Sequence, residues 1–395
     1  MKYASRYRFV GAVGETVRMP YSPDALRRWP DVESPELFAT DAADRLILDE
    51  SAAARADAPP GTLVVIGDAY GALTLGAADA GATGIRVHQD PLSGERALAV
   101  NARTAGLGDA FASMDLSPAL VAGARVVLLR LPRALDALED IAGLVAAHAD
   151  PDVQVFAGGR VKHMALTMND VLRRSFGALD VTHARQKSRV LIARRPRAGA
   201  DPRPRRAEHS VPGLAGPLTV CAYGGAFAGA SIDIGTRFLL EQLGEVEPAR
   251  GGDLIDFACG TGVIAVWLAL RHPERTVVAT DQSAAAVASA EATAGANGVS
   301  DRVEVLRDLG LSSRPDRSAS FIALNPPFHT GAAVPVTGVA APLFAEAGRV
   351  LEPGGQLWAV WNSPLQYRPA LERLVGPTRQ VARNAKFTVT VSTRR

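Results

Sequence analysis

The sequence predicts an α/β protein of two tandem domains, each built on a doubly wound parallel sheet, and three observations predict it. Short apolar runs alternate with amphipathic stretches along most of the chain, as in strand–helix–strand units. The chain has 395 residues, more than one typical hydrophobic core organises. A unit of glycine loop, helix, strand and terminal acid occurs twice at one spacing of 19 positions, from Gly71 to Asp90 (90 − 71) and from Gly262 to Asp281 (281 − 262).

In the first half, apolar runs bounded by turn residues predict strands, and stretches of helical periodicity predict the helices between them. The predicted strands are residues 7–10, 62–66, 85–90, 125–131, 153–157 and 188–193. The predicted helices are residues 39–50, 93–105, 135–148 and 168–176. Because strand and helix alternate, we expect this half to form a parallel sheet.

Residues 196–217 separate the two halves and are rich in proline, arginine, alanine and glycine. Because they lack apolar periodicity, we predict an interdomain linker between a first domain at residues 1–195 and a second at residues 218–395. Nine lysine and arginine residues lie from Arg185 to Arg206, against Asp201 alone. This run of charge is either a solvated linker or a strip that contacts phosphates.

In the second half the pattern starts again. The predicted strands are residues 253–257, 277–280, 303–307, 320–324 and 356–361, and the predicted helices are residues 263–271 and 283–297. The first strand and first helix are joined by a glycine-rich turn at residues 258–262. The repeated unit therefore predicts an internal duplication of one domain.

Composition narrows the class of protein. Hydrophobic residues make up 47% of the chain and charged residues 21%, as in ordinary globular proteins, and the net charge is +2. The first residues lack the apolar segment of a signal peptide, and no apolar run is long enough to span a bilayer. Cys221 and Cys259 do not make a disulfide framework, and no cysteine–histidine cluster has zinc spacing. We therefore expect a cytoplasmic protein without a metal centre.

The segment Asn325-Pro326-Pro327-Phe328 follows an apolar strand and ends it abruptly. Neither proline has a backbone N–H, so the turn presents two acceptors, the Asn325 side-chain oxygen and the Pro326 carbonyl. An aromatic ring follows them. Two acceptors beside a ring suit a planar group that carries an NH2, with Phe328 stacking on it. The alternative is a plain strand-ending turn with a solvated asparagine and a packing phenylalanine.

The glycine-rich turn predicts a nucleoside site. Gly260 and Gly262 let the backbone approach a ligand closely, and Asp281 at the next strand end can accept from ribose hydroxyls. A third glycine for a pyrophosphate is missing, which favours a nucleoside without phosphates. Asp308, after a further strand, either accepts from an adenine amine or is a surface-loop carboxylate.

Together these motifs resemble a known family. The run from Asp256 to Gly262, with Asp281, Asp308 and the run from Asn325 to Phe328, resembles class I S-adenosylmethionine-dependent methyltransferases that modify exocyclic amines. Residues 227–235, 325–331 and 384–387 are similar to those of bacterial ribosomal-RNA guanine-N2 methyltransferases. In the first half, residues 41–44 and 68–73 resemble the large-subunit enzyme of that group.

The resemblance implies two tandem Rossmann-like class I methyltransferase domains, of which the N-terminal one is degenerate and serves RNA recognition or a structural role. It implies that Asp233 and Gly235 cover the methionine end of the cofactor, and that Asn362 lies at the pocket mouth. Ala258 departs from the glycine usual at its position. The implied catalytic residues are Asn325, Pro326 and Phe328. The implied cofactor-binding residues are Asp233, Gly235, Asp256, Ala258, Cys259, Gly260, Gly262, Asp281, Gln282, Asp308 and Asn325.

We therefore predict an S-adenosylmethionine-dependent enzyme that methylates the N2 amine of a guanine in ribosomal RNA. Its expected partner is ribosomal RNA, naked or within a subunit, with no membrane and no metal, and we expect a monomer. One alternative is an N-methyltransferase acting on adenine N6 in nucleic acid or on a protein glutamine, because the same turn serves any planar NH2. Another is a catalytically silent RNA-binding factor for ribosome assembly.

Overall fold

The computed structural model describes residues 21–197, 199–244, 246–249, 251–327 and 336–395, the first four of the last range through their backbone alone. The predicted strand at residues 7–10 lies outside the described residues. Among those described, no helix is both long and apolar enough to cross a bilayer.

The first sheet has seven strands in the order β3-β2-β1-β4-β5-β7-β6. Its strands are β1 (Leu63–Ile66), β2 (Ile85–His88), β3 (Phe111–Ser113), β4 (Val126–Arg130), β5 (Gln154–Arg160), β6 (Phe176–Val181) and β7 (Ser188–Pro196). The accompanying helices are α1 (Ala42–Glu50), α2 (Ala52–Ala56), α3 (Ala72–Asp79), α4 (Leu92–Ala105), α5 (Pro118–Val121), α6 (Leu135–His148) and α7 (Leu166–Ser175).

The second sheet repeats this order as β12-β11-β10-β13-β14-β16-β15, after a separate two-stranded sheet of β8 (Arg205–His209) and β9 (Leu218–Ala222). Its strands are β10 (Asp253–Phe257), β11 (Val277–Asp281), β12 (Val303–Arg307), β13 (Ala319–Leu324), β14 (Leu351–Asn362), β15 (Thr378–Arg383) and β16 (Phe387–Thr393). The helices are α8 (Ile234–Leu243), α9 (Val263–Arg271), α10 (Ala284–Ala296), α11 (Val336–Val350) and α12 (Arg368–Leu374). The identical strand order confirms the tandem fold that the sequence predicts.

Strand β13 shows why the continuous apolar runs form the centre of each sheet. All six of its residues are buried, and successive side chains enter opposite faces. Phe321 and Ala323 pack in the core on one face, and Ile322 and Leu324 in the core on the other. Helices cover both faces, so β13 is buried throughout and its carboxyl end emerges at the edge where the polar residues follow.

The sheets are mixed, which corrects the expectation of purely parallel sheets. Strands β1–β5 and β10–β14 run parallel, but β7 and β16 run antiparallel to both of their neighbours. They form hairpins with β6 and β15, joined at residues 182–187 and 384–386. A short connection can join only antiparallel neighbours, because a parallel pair needs a crossover of a dozen residues or more.

The predicted linker also contains regular structure. Strand β8 lies within residues 196–217 and pairs with β9 from Arg205 opposite Ala222 to His209 opposite Leu218. The sequence does not show it, because four of its five residues are charged or polar and all stay at least partly exposed.

The strand register refines the internal duplication. Ile66 of β1 lies opposite His88, and Phe257 of β10 lies opposite Thr280. The structural counterpart of Asp281 is therefore Gln89, the residue after His88. The equal spacing in the sequence pairs Asp281 with Asp90. In the structure Asp90 lies one residue beyond Gln89, so its counterpart in the second domain is Gln282.

Candidate active site

A pocket lies at the carboxyl ends of β10 and β13 and encloses about 430 Å³, part of it open to solvent. It brings together residues from three separate segments of the sequence. The lining residues that the sequence analysis singles out are Asp233, Asp256, Ala258, Cys259, Gly260 and Asn325. Binding sites of open α/β sheets are expected at this edge.

The side chain of Asn325 is held in one orientation. Its Nδ2 donates to Asp233 Oδ2 and to Thr236 Oγ1, both at 3.0 Å. Because a carboxylate can only accept, the Asn325 amide must present its nitrogen there. Its Oδ1 is buried and has no partner within the described part of the chain. The pocket thus contains a fixed acceptor with free capacity.

Residues at the start of α8 hold the Asn325 side chain in place. Asp233 is the N-cap of α8, and its Oδ2 accepts from the backbone N–H groups of Gly235 (2.8 Å) and Thr236 (3.2 Å). A Cβ atom on Gly235 would lie 2.9 Å from Asp233 Oδ2 and 3.2 Å from the Phe387 ring. Only glycine therefore leaves Asp233 free to hold Asn325.

Asp256 places a buried carboxyl group in the pocket wall. It is 1% exposed and accepts one hydrogen bond, from the backbone N–H of Ala265 in α9 at 2.8 Å. Burial, with a smaller contribution from the charge of Asp281, raises the pKa of Asp256 to about 7. This carboxyl group therefore changes charge near neutral pH.

The turn between β10 and α9 runs through three residues in the left-handed region. They are Ala258 (φ 56°), Gly260 (φ 54°) and Gly262 (φ 74°). Gly262 is also needed for close packing, since a Cβ there would lie 2.8 Å from the Cβ of Ala290 in α10. A Cβ on Gly260 would meet no atom within 4 Å, so that side of the turn is open to a ligand. Ala258 takes a conformation that favours glycine.

Asp281 lies beside this turn without lining the pocket. Its Oδ2 accepts from the Gly260 N–H at 3.0 Å, and its Oδ1 accepts from the Ser283 N–H at 2.9 Å. Burial raises its pKa. The side chain of Gln282 is exposed, and its carbonyl accepts from the Leu92 N–H of the first domain at 2.9 Å. The carboxylate of Asp281 is thus fixed at the edge of the turn.

Asp308 is 4% exposed, so it is not a surface carboxylate. Its Oδ1 accepts from the Ser312 hydroxyl, and its Oδ2 accepts from the N–H (2.8 Å) and hydroxyl (2.7 Å) of Ser313. Burial alone would raise its pKa, but these hydrogen bonds hold the pKa below its usual value. Most of its hydrogen-bonding capacity therefore serves its own loop, which leaves little for an adenine amine.

The other predicted site residues are distributed around the pocket. Pro326 is buried beside Asn325, whereas Asn362 ends β14 and does not line the pocket. Phe328 lies outside the described residues. Cys259 lines the pocket, but burial and then the charge of Asp256 raise the pKa of its thiol well above the usual value. It therefore remains a protonated, unreactive thiol.

Thr236 and Phe227 are among the lining residues that the sequence analysis does not single out. Thr236 accepts from Asn325, and Phe227 lines the pocket while 57% of it remains exposed. Both lie in or next to the segment 227–235 that carries the resemblance, and an exposed aromatic residue beside a pocket is able to stack on a planar ligand.

The first domain has lost the equivalent arrangement. Arg130 occupies the position of Asn325 and forms ion pairs with Asp41 (2.8 Å) and Asp44. Gln89, at the position of Asp281, donates to the carbonyls of Asp68 and Ala69. The Arg130 side chain is therefore occupied by ion pairs at the position where the second domain has a free acceptor.

S-adenosylmethionine fits the residues of the second pocket. The carboxyl groups of Asp233 and Asp256 suit a cationic ligand, and the open turn at Gly260 suits a nucleoside that lacks phosphates. The free Asn325 Oδ1 adds an acceptor for a second, amine-bearing ligand.

Comparison with known proteins agrees with this geometry. The model of the methyltransferase small domain matches residues 217–391, and the model of the RLMG N-terminal domain matches residues 15–197. Ribosomal RNA large subunit methyltransferase G of Streptomyces avermitilis is 33% identical over 389 residues, covering 95% of this chain and 98% of its own. The protein of the same name from Streptomyces coelicolor is 34% identical, covering 94% and 98%.

A solved structure shares the fold across both domains. It is the 16S rRNA N2 methyltransferase (RsmC) of T. thermophilus in complex with AdoMet and guanosine, with a TM-score of 0.72 and 21% identity. It covers 92% of this chain and 97% of its own. From the identity and the coverage of the curated relatives, the chain belongs to the family of ribosomal RNA large subunit methyltransferase G.

Proposed function

We propose that this protein transfers the methyl group of S-adenosylmethionine to the N2 amine of a guanine in large-subunit ribosomal RNA. Residues 218–395 form the catalytic domain, and residues 1–195 form a degenerate domain that serves RNA recognition. The observation that carries the proposal is the buried Asn325 Oδ1, which lines the pocket and has no partner in the described residues. Family membership supports ribosomal RNA as the substrate.

Asn325 and Pro326 prepare the guanine amine for transfer. When bound, the cofactor supplies an electrophilic methyl group. The amine is a poor nucleophile, because its lone pair is delocalised into the ring. Hydrogen bonds from the amine to Asn325 Oδ1 and to the Pro326 carbonyl localise that pair and stabilise the positive charge that develops on nitrogen. Asn325 acts without being a base, since the proton can leave after transfer.

The pocket also has to receive a base that is out of its stack. A guanine inside a helix cannot reach a pocket at the sheet edge, so the base must be single-stranded or extruded. Phe328 and the exposed ring of Phe227 are the residues proposed to stack on it. The cofactor residues predicted from the sequence include Asp233, Asp256 and Gly260, which line the pocket, and Asp281, which accepts from Gly260.

A group of cations supports RNA recognition by the first domain. Arg133 follows β4, while Arg160 and Lys162 lie at the end of the adjacent strand β5. Partial desolvation and then the positive charges of these three residues lower the pKa of His163, which directly follows Lys162. The described ion pairs of this domain involve none of the three. They are therefore free to bind phosphates.

The arginine run between Arg185 and Arg206 is less available. Arg185 pairs with Asp49 and Glu50, Arg194 with Asp180, and Arg205 with Glu139 and Asp140. These carboxylates partner three of the nine cations in the run. We assign phosphate binding to Arg133, Arg160 and Lys162, none of which makes a described ion pair, rather than to this partly paired run. We also propose that the protein acts as a monomer in the cytoplasm.

The test is to map methylated positions in ribosomal RNA from cells with and without the gene. We expect one N2-methylguanine of the large-subunit RNA to disappear, and to return with the wild-type gene. Loss of an N6-methyladenine instead would replace the proposal with the first alternative. Unchanged methylation together with defective subunit assembly would favour the silent assembly factor.

A further inference from the structure

We propose that Asp90 of the degenerate domain is a positioning residue for the cofactor site of the second domain. The inference rests on the proposed cofactor site beside Asp281. It concerns the contact between the two domains, which falls on the turns that follow β2 and β11. No feature of the methyl-transfer proposal requires this contact.

The two turns meet as equivalent partners. Pro91 forms an antiparallel bridge with Ser283, and both are N-caps of the helices that follow, α4 and α10. The Leu92 N–H donates to the Gln282 carbonyl at 2.9 Å, and the Ala284 N–H donates to the Asp90 carbonyl at 3.0 Å. These hydrogen bonds are reciprocal, because Leu92 corresponds to Ala284 and Asp90 to Gln282. The domains therefore dock as a pseudo-symmetric pair at this point.

Side-chain contacts break the symmetry in favour of the second domain. Asp90 Oδ1 accepts from the Ser283 hydroxyl and from the Ala285 N–H, both at 2.9 Å. Ser283 Oγ in turn accepts from the Ala286 N–H at 3.2 Å. Asp90 thus adds a carboxylate to the first turn of the 13-residue helix α10, where backbone N–H groups lack intrahelical partners and negative charge is stabilising.

This cap continues directly into the proposed nucleoside site. The Ser283 N–H donates to Asp281 Oδ1, and Asp281 Oδ2 accepts from Gly260 of the cofactor turn. A displacement of Ser283 would therefore move the carboxylate that is proposed to accept from the ribose. Asp90 fixes Ser283 through a side-chain bond and fixes the neighbouring Ala284 through its main chain.

A second contact holds the next strand end. Arg307 lies opposite Asp281 in the β11–β12 pair and precedes Asp308. Its guanidinium pairs with Glu95 of α4 at 2.8 Å and donates to the Gln89 carbonyl at 2.7 Å. The first domain therefore contacts both turns that contain the carboxylates proposed to bind the nucleoside, Asp281 and Asp308. The first domain lacks a site of its own, but Asp90, which follows β2, positions residues of the site in the second domain.

The experiment measures cofactor affinity by calorimetry on the full-length protein, with S-adenosylmethionine as the probe. Asp90→Ala is expected to raise the Kd and the KM for S-adenosylmethionine about tenfold, with kcat and the KM for RNA within twofold of wild type. Asp90→Asn keeps an acceptor oxygen for Ser283 and should recover part of the loss. Glu95→Gln removes only the charge that holds Arg307, and should raise the Kd about threefold.

Asp140→Ala is the matched control. Asp140 is also a first-domain carboxylate in the interface, where it accepts from the Gly224 N–H at 2.7 Å, remote from Asp281 in the chain and in its contacts. We expect wild-type cofactor affinity for this variant. Equal weakening by Asp90→Ala and Asp140→Ala would mean that docking in general is responsible, and would overturn the inference.

Wild-type affinity in Asp90→Ala would also overturn it. If that variant does not fold, Asp90→Asn and Glu95→Gln decide the matter, and wild-type affinity in both contradicts the inference. Failure of the proposed function looks different, because the wild-type protein would then leave guanine N2 of large-subunit ribosomal RNA unmethylated, whatever its affinity for S-adenosylmethionine.

Discussion

At the scale of single residues, the site depends on one amide held by two partners. The sequence predicts the acceptor of Asn325, since the two prolines and the preceding strand define where it lies. The sequence does not predict which residues hold the Asn325 side chain. Asp233 is 92 positions away, and it contacts Asn325 through a polar hydrogen bond that leaves no periodic pattern in the sequence. The role of Thr236 is hidden for the same reason.

The titration of Asp256 gives a prediction at this scale. Its pKa rises from the ordinary 3.8 to about 7 in the fold. Between these values the folded state binds a proton that the unfolded state has lost, so the free energy of unfolding falls as the pH rises from about 4 to 7. Asp256→Asn should remove this decline, worth up to about 4 kcal/mol at one pKa unit per 1.36 kcal/mol. Urea unfolding at pH 5 and pH 8 captures about 3 kcal/mol of it, the part that falls above pH 5. An unchanged pH profile in the variant would contradict the assignment.

Ala258 gives a second prediction. It is held at φ 56°, where an alanine costs roughly 1–2 kcal/mol that glycine avoids. Ala265→Gly is the matched control, since Ala265 is in the interior of α9, where glycine costs about 1 kcal/mol. Both variants gain the same freedom when unfolded. We expect Ala258→Gly to be more stable than Ala265→Gly by about 1–2 kcal/mol in urea unfolding. Equal destabilisation by the two would show that the turn at Ala258 carries no strain.

At the scale of elements, the sequence predicts segments with a regular apolar pattern and misses those without one. Helices α6 and α9 and strands β10 and β12 have the predicted limits residue for residue. Strand β15 has exposed and half-buried positions along most of its length, so no apolar run marks it. Strand β15 forms as the edge strand of the sheet because it pairs with β16. This pairing is a tertiary contact that the sequence of β15 alone does not indicate.

The approach of α9 to α10 yields a prediction for Gly262. Gly262→Ala adds a Cβ only 2.8 Å from that of Ala290 and keeps a φ of 74°. Gly298→Ala is the control, because it has a φ of 68° but meets no atom within 4 Å. Gly262→Ala should therefore be the less stable by about 1–3 kcal/mol, the range for overpacking, and should bind the cofactor more weakly. Equal unfolding midpoints would mean that α10 moves aside at no cost.

At the scale of the whole molecule, the sequence predicts two copies of one fold and the degeneracy of the first. The repeated spacing is enough for the first prediction, and the family resemblance implies the second. The docking of the copies is not predictable, since its contacts join residues such as Asp90 and Ser283, which are 193 positions apart. The equal spacing in the sequence also aligns the two copies one residue away from their structural alignment. This shift is visible only in the strand pairing.

The proposed division of labour predicts the salt dependence of RNA binding. Arg133→Ala combined with Lys162→Ala should weaken binding for all sequences and reduce the slope of log K against log salt by about 1 for each phosphate that is no longer neutralised. Arg194→Ala is the control, because Arg194 pairs with Asp180 and its removal should leave the slope unchanged. An equal loss of slope from Arg194→Ala would place the RNA on the arginine run instead.

The central claim is that the free oxygen of Asn325 accepts from the guanine amine as the methyl group is transferred. Asn325→Ala tests it most directly, through single-turnover methylation of large-subunit ribosomal RNA and calorimetry with the cofactor. Asn362→Ala is the control, since Asn362 Oδ1 is also buried and without a partner in the described residues but lies outside the pocket lining. We predict that Asn325→Ala lowers the rate about 100- to 1,000-fold, roughly 3–4 kcal/mol, and leaves the cofactor Kd within threefold of wild type. A near wild-type rate for Asn325→Ala, or an equal loss in Asn362→Ala, would contradict the claim.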